Sequence, residues 1–157
     1  TRRENSAPLL LDVTRLVWRR WEGVRATGID RICDAWLENY GARSQAVIIS
    51  RQRQVILPIS ASRALFSALL APAPKNGSTW PFRRRLAALA FRWGAWWLRD
   101  LEGLERFWLN AGHTGLHIME LPDWCSRANV KPIYFVHDLI PICLLYTSPS
   151  PRDRQKS

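Results

Sequence analysis

Apolar and polar residues are grouped along the chain in a way that predicts alternating strands and helices. Short apolar runs over residues 9–13, 46–49 and 54–57 predict three strands, of which the last two are close enough to suit a hairpin. Two further strands are predicted over residues 106–110 and 133–137. Strands that alternate with helices are typical of a parallel sheet, so we expect an α/β fold with a mostly parallel sheet and flanking helices.

The predicted helices lie between these strands. Apolar residues recur at steps of three and four over residues 29–40, which predicts an amphipathic helix. Residues 60–70 predict a short helix and residues 82–98 a longer one, whereas residues 116–128 predict an irregular or helical stretch. The segment that leads from the first strand to Thr27 is polar, and it is predicted to be a loop.

The end of the chain differs in character from the rest. Residues 143–157 are rich in Pro and Ser and show no helix or strand periodicity, which predicts a disordered tail. Residues 143–153 resemble the conceptual translation of a sequencing-library adapter, and such segments are left out of fold reasoning. We therefore expect a polar segment over residues 1–8, one incomplete domain over residues 9–142, and an adapter-derived tail.

Composition excludes several classes of protein. No run approaches the roughly 18 consecutive apolar residues of a membrane span. We expect no secretory signal, because residues 1–8 are polar and only three leucines follow. Outside the tail the only cysteines are Cys33 and Cys125, whose separation fits no metal site. We therefore expect a reduced cytoplasmic chain that holds no metal.

The positive charge is concentrated in one part of the chain. The formal net charge is +10, and residues 39–99 hold ten basic residues and no Asp or Glu. A localised positive field suits a polyanionic surface. Within the predicted helix over residues 82–98, arginines border a tryptophan-rich apolar stripe, as in helices that lie in a membrane interface. The residues expected to contact an anionic membrane are Arg85, Arg92, Trp93, Trp96 and Arg99.

Two other interpretations of this helix stay open. Its stripe also suits a helix that packs on the sheet, since the helix is apolar almost all round. Its charge also suits nucleic acid, although no recognised nucleic-acid motif is present. If the helix binds lipid, we expect a cytoplasmic protein that lies on the inner face of the cell membrane.

Three polar clusters follow predicted strands and therefore meet at one edge of the predicted sheet. In chain order they are residues 27–31, 110–115 and 137–138. A glycine before a helix lets a ligand approach backbone N–H groups, which bind anions such as phosphate. Imidazole and hydroxyl groups hold sugar hydroxyls or steady a developing charge. Each cluster also has a plain structural interpretation, as a helix start, a turn or a buried histidine. The candidate binding residues are Gly28, Asp30, Arg31, Asn110, His113, Thr114 and Asp138, and the candidate catalytic residue is His137.

Four segments resemble, in the same order, the N-terminal domain of the retaining bacterial glycosyltransferases of family 4. They are residues 10–17, 27–31, 110–115 and 133–142, and the basic segment between the second and third carries little of the resemblance. The resemblance implies a Rossmann-like domain, the N-terminal and acceptor-side half of an enzyme of the GT-B fold.

The same resemblance implies an activity. Such enzymes transfer a sugar from a nucleotide-sugar, which is the co-substrate, to a glycan or lipid-linked acceptor in surface polysaccharide biosynthesis, with no other cofactor. It places Gly28 opposite the donor phosphates and His137 near the transferred sugar, where the imidazole positions and stabilises. The donor-binding domain is missing from this sequence, so we expect the chain to be inactive alone. The alternative is a non-catalytic basic module that binds anionic membrane or nucleic acid.

Overall fold

The computed structural model describes residues 8–50, 53–72, 77–93 and 105–135. Over these residues the chain is an α/β structure with one five-stranded sheet and helices on both faces. The strands are β1 (Leu9–Asp12), β2 (Ser44–Ser50), β3 (Arg53–Ile56), β4 (Arg106–Asn110) and β5 (Val130–Tyr134). The helices are α1 (Thr14–Glu22), α2 (Gly28–Tyr40), α3 (Ile59–Leu70), α4 (Trp80–Trp93) and α5 (Leu121–Arg127).

The order of the strands places β1 at the centre of the sheet. The order is β3-β2-β1-β4-β5, with β2 and β3 antiparallel and every other pair parallel. After β3 the chain therefore crosses over β1 to continue on its other side with β4. This order is compatible with a Rossmann-like sheet, in which the reversal opens a crevice beyond the carboxyl ends of the central strands. Here those strands are β1 and β4.

Each face of the sheet carries its own apolar core, because successive side chains of a strand point to opposite faces. Leu11 and Val13 face one layer, which contains α1, α2 and α3, with α4 packed against it. Leu10 and Trp108 face the other layer, to which α5 contributes Leu121. The chain moves outward from the central strand in both directions. Right-handed crossovers in the two directions place helices on opposite faces of the sheet.

The prediction of a loop between β1 and Thr27 is wrong, because α1 occupies Thr14–Glu22. Only Leu16 and Val17 supply buried apolar side chains to this helix, beside arginines, the exposed Trp18 and the half-buried Trp21. Its first residue follows β1 after the single residue Val13, which has no side-chain group able to cap the helix. Such a helix owes its stability to packing on the sheet rather than to local signals, which explains why the pattern of the segment did not reveal it.

The last strand lies three residues earlier than predicted. β5 covers Val130–Tyr134 and contains Pro132, and of its residues only Val130 is buried. A proline is tolerated at the edge of a sheet, where its missing N–H group faces no partner strand. The strand therefore ends before His137, which lies outside the described residues, as does Asp138.

The other predicted elements are found with small shifts in their bounds. The hairpin of β2 and β3 is confirmed by the antiparallel pairing of Ile48 with Val55. The irregular or helical stretch contains α5. The long basic helix begins at Trp80, two residues before its predicted start, and it is described as far as Trp93.

We expect the substitution Gly115→Ala to destabilise the fold. Gly115 has φ +74°, and a Cβ atom there would stand 2.4 Å from Ile49 Cδ1. A left-handed backbone costs an L residue about 1–2 kcal/mol, and overpacking typically adds about 1–3 kcal/mol. The free energy of unfolding, measured by urea denaturation, should therefore fall by about 2–5 kcal/mol.

Gly28→Ala is the matched control for this prediction. Gly28 opens α2 without a left-handed backbone, and no atom lies within 4 Å of where its Cβ would stand. Its effect on stability should stay within about 0.5 kcal/mol. A midpoint for Gly115→Ala equal to that of the unsubstituted protein would contradict the prediction.

Candidate functional site

The carboxyl ends of β1 and β4 lie side by side and define the candidate site. Leu11 of β1 pairs with Leu109 of β4, so Asp12 and Asn110 come next on neighbouring strands. After Asp12 the chain enters α1, and after Asn110 it enters the turns that lead to α5. Because this is the point where the strand order reverses, it is the position at which ligands bind in open α/β sheets.

Asp12 is a buried carboxyl group at the centre of this edge, with only 6% of its surface exposed. Its Oδ1 accepts hydrogen bonds from the Thr14 backbone N–H (3.0 Å) and the Thr114 hydroxyl (2.8 Å). Burial raises the pKa of Asp12 from 3.8 to about 6, and the hydrogen bonds from Thr114 and Thr14 act in the opposite direction. A carboxyl group with a pKa this close to neutrality is typical of functional sites.

Three buried polar atoms at this edge lack a hydrogen-bond partner among the described residues. They are Asp12 Oδ2, Asn110 Oδ1 and Trp108 Nε1. The Trp108 indole comes close enough to lower the pKa of Asp12, but the pair falls outside hydrogen-bonding geometry. Each unsatisfied buried group costs about 1–3 kcal/mol, so such groups are few in native proteins and call for a function or a bound partner.

Asn110 connects the end of β4 to the turn that follows. It is fully buried, and its Nδ2 donates a hydrogen bond to the Thr114 backbone oxygen (2.9 Å). The Thr114 hydroxyl in turn donates a hydrogen bond to Asp12, so the turn of residues 110–115 is bound to β1. The predicted residues Asn110 and Thr114 are thus brought together around a carboxyl group.

Asp30 is bound within the protein by a network of charged hydrogen bonds. Its carboxylate accepts from Arg15 Nε (2.7 Å), Arg19 Nε (3.1 Å) and the Thr27 backbone N–H (2.7 Å). Burial alone would raise the pKa of Asp30, but the hydrogen bonds from Thr27 and Arg15 outweigh it and lower that pKa. This predicted binding residue therefore ties the start of α2 to α1.

Arg15 links the segment around Thr27 to the turn after β4. A Cβ atom at Gly112 would stand 3.0 Å from the Cβ of Arg15, so the glycine allows the turn to pass close to this side chain. Gly28 and Arg31 lie exposed on the first turn of α2. The first two predicted clusters are therefore neighbours across α1, with Arg15 between them.

His113 bridges to the chain that follows β5. It has φ +55° and is exposed, and its Nε2 donates a hydrogen bond to the Phe135 carbonyl oxygen. The Phe135 N–H donates to the Asn110 carbonyl oxygen at 3.4 Å. Residue 135 thus lies against the turn after β4, two residues before His137. His117 lies exposed in the same series of turns.

Sequence reasoning did not single out Asp12 or Arg15, although both are central to the site. The signal for Asp12 was a carboxylate that directly ends an otherwise apolar strand, Leu9–Asp12. No local signal identified Arg15, because its role depends on contacts with Asp30, fifteen residues away, and with Gly112.

The residues proposed for membrane contact are only partly covered by the structure. Arg85 is exposed on α4, whereas Arg92 and Trp93 belong to its last turn and their side chains are not described. Trp96 and Arg99 lie outside the described residues. No helix within the described ranges is long and apolar enough to cross a membrane.

The described part of the chain contains no group of three or more His, Cys, Asp or Glu side chains that suits a metal ion. Cys33 and Cys125 are both free, and they belong to the cores on opposite faces of the sheet. Comparison of this chain with models of protein families, with curated proteins and with solved structures finds no match.

Proposed function

We propose that this chain is the acceptor-side domain of a retaining, nucleotide-sugar-dependent glycosyltransferase of the GT-B fold. The observation that carries the proposal is the pair of buried oxygens without partners, Asp12 Oδ2 and Asn110 Oδ1, at the reversal point of the sheet. Three of the segments that resemble these enzymes, residues 10–17, 27–31 and 110–115, surround this point.

The chemistry of the edge suits a sugar. Sugar hydroxyls are hydrogen-bond donors, and two buried acceptors in need of a donor favour them over an anion. Exposed cationic Arg31 and the open space at Gly28 lie at the start of α2, which suits the phosphates of a donor. On this proposal His137 positions the sugar and stabilises charge on it, while the leaving phosphate accepts the proton.

The experiment that tests the proposal uses the full-length protein, expressed from the gene that continues this sequence. We expect the continuation to encode a second Rossmann-like domain, and the protein to release nucleotide from a nucleotide-sugar when a glycan or lipid-linked acceptor is added. A protein that binds none of a panel of nucleotide-sugars, by calorimetry, would reject the proposal.

A second candidate function, binding to anionic membrane without catalysis, is favoured by the surface of α4. Arg84 and Arg85 are exposed there, Trp80 is 67% exposed, and the residues from 39 to 99 include no acid to oppose them. Tryptophan and arginine together are typical of helices at the headgroup level of a bilayer. Phe82, Leu86 and Leu89 of the same helix pack on the core, so α4 is at least partly a packing helix.

We expect co-sedimentation of the protein with liposomes to rise with the fraction of anionic lipid and to fall with salt, because charge is screened over about 10 Å at 0.1 M. Each basic residue near the surface contributes about 1 kcal/mol, which is about fivefold in affinity, so Arg85→Glu should weaken binding at least about fivefold. Arg127→Glu on α5, which packs on the opposite face of the sheet, is the matched control and should change it less than about twofold. Equal binding to neutral and anionic vesicles would contradict the prediction.

A further inference from the structure

A partly open apolar cavity of about 360 Å³ lies on the helical face that carries α1, α3 and α4. Every residue that lines the cavity is apolar. The walls come from α1, from the β2–β3 hairpin, from α3 and from α4, and they include Trp18, Trp21, Val55, Leu65, Leu86 and Ala90. Ligand sites have volumes of roughly 300–1,000 Å³ and are lined mainly by apolar and aromatic side chains.

Polar contacts hold α4 in place beside this cavity. Arg83 donates from Nε (3.1 Å) and from an Nη atom (2.8 Å) to the Trp21 backbone oxygen, and its guanidinium lies 5.0 Å from the centre of the Trp21 ring. These contacts fix α4 to α1 without requiring the apolar side chains between the two helices to close on one another. Because the space opens partly to the surface, a ligand can enter it from outside.

The charge beside the cavity is positive. With 3.6 residues in each turn of α4, Leu86, Leu89 and Ala90 share the face that lines the cavity, and Arg83 and Arg85 flank that face on either side. Residues 39 to 99 include no Asp or Glu, and α1 on the facing wall carries three arginines and the single acid Glu22. Apolar walls favour a hydrocarbon chain over water, whereas a flanking guanidinium binds phosphate.

We propose that this cavity binds the apolar chain of an anionic amphiphile, with the phosphate of its headgroup on the Arg85 side of α4. The identity of this amphiphile as the lipid part of a lipid-linked sugar acceptor rests on the proposed function, whereas the binding site itself does not. The ligand is a single hydrocarbon chain that carries a phosphate.

The test measures binding of a monomeric lipid to the 157-residue chain. The probe is lysophosphatidylglycerol with a brominated acyl chain, used below its critical micelle concentration, because bromine quenches the fluorescence of Trp18 and Trp21 in the cavity wall. Lysophosphatidylcholine with the same chain is zwitterionic and should bind several-fold more weakly. Saturable quenching by the anionic lipid is the expected result.

Two substitutions on α4 separate the cavity from the helix surface. Ala90→Phe fills the cavity from an exposed position and should weaken binding at least tenfold, with Ala90→Leu intermediate. Ala88→Phe adds the same bulk on the other side of the helix, where the residue is exposed and does not line the cavity, and should change affinity less than twofold. Circular dichroism checks that each variant is folded.

Equal affinities of the Ala90→Phe and Ala88→Phe variants would overturn the proposal, as would equal affinities for the two lipids. Binding to anionic vesicles without binding of the monomeric lipid would also overturn it, and would assign lipid contact to the surface of α4. Amphiphile binding by a full-length protein that turns over no nucleotide-sugar would keep this site and reject the glycosyltransferase.

Discussion

The substitution Asp12→Asn is expected to stabilise the protein at neutral pH by up to about 3 kcal/mol. The pKa of Asp12 is raised by burial from 3.8 to about 6. Each pKa unit corresponds to about 1.36 kcal/mol, so a shift of about two units costs the folded state about 3 kcal/mol once the group is ionised in both states. Asparagine keeps an oxygen that accepts the hydrogen bonds from Thr14 and Thr114, and it has no charge to bury.

The sign of the pH dependence follows from the direction of the shift. Below about pH 4 Asp12 is protonated in both the folded and the unfolded state, and it costs nothing. As the pH rises from about 4 to about 6, the unfolded state loses its proton first, so the contribution of Asp12 to stability falls. The stability difference between Asp12→Asn and the unsubstituted protein should therefore grow over this interval and level off above it.

Urea denaturation at a series of pH values measures this difference, and Asp30→Asn provides a control of opposite sign. The pKa of Asp30 is lowered in the folded state, so its contribution to stability is present above about pH 4 and is lost as the pH falls through the folded pKa. Asp30→Asn should therefore cost stability at neutral pH and little in acid. A flat difference for Asp12→Asn from pH 4 to pH 8 would show that Asp12 is not a buried, perturbed acid.

The same experiment bears on function. A buried charge that lowers stability is typical of a residue that is needed for activity. Removing such a residue often raises stability and lowers activity. On the proposed function, the more stable Asp12→Asn variant of the full-length enzyme should transfer sugar more slowly, because its Oδ2 acceptor is replaced by a donor.

The substitution His137→Ala in the full-length enzyme is expected to lower turnover by about 10² to 10³, the usual cost of removing a hydrogen-bond donor that acts in the transition state. His137 follows Phe135 by two residues, and Phe135 is held to the site by His113 and Asn110. Affinity for the nucleotide-sugar should change little, since the donor domain supplies most of its contacts on the proposed function.

His117→Ala is the control for this prediction, because His117 is exposed in the turns between β4 and α5. Its turnover should stay within about twofold of the unsubstituted enzyme. Nucleotide release under saturating donor gives the comparison, and circular dichroism shows whether each variant is folded. Turnover of His137→Ala near the unsubstituted value, or a loss that merely follows unfolding, would remove His137 from the site.

The elements that sequence predicted well are those whose pattern is a local property. β4 was predicted with its observed bounds, Arg106–Asn110, and the hairpin of β2 and β3 follows from two apolar runs separated by a short polar stretch. α2 shows apolar residues at helical spacing over most of its length. In each case the spacing of apolar residues identifies the side chains that one face buries, and the packing partner need not be known.

The elements that were missed or misplaced depend on their neighbours. α1 has few buried apolar residues, and its arginines pair with Asp30 on the next helix. β5 pairs with β4 through a segment that includes Pro132 and is mostly exposed, so the apolar run further along the chain was mistaken for the strand. Pairing with β4 determines the register of β5, and the sequence of β5 alone does not indicate that register.

The sequence by itself determined the α/β class, the near-bounds of most strands and helices, and the concentration of positive charge between residues 39 and 99. These properties follow from periodicity and composition, which depend only on residues that are close together in the chain. Only the tertiary structure decided that β1 and β4 lie side by side, that Asp12 at the end of β1 is buried with a raised pKa, and that α4 leaves a cavity beside α1. Burial and long-range contacts depend on how the helices and the sheet pack, and that packing is determined by residues that are far apart in the chain.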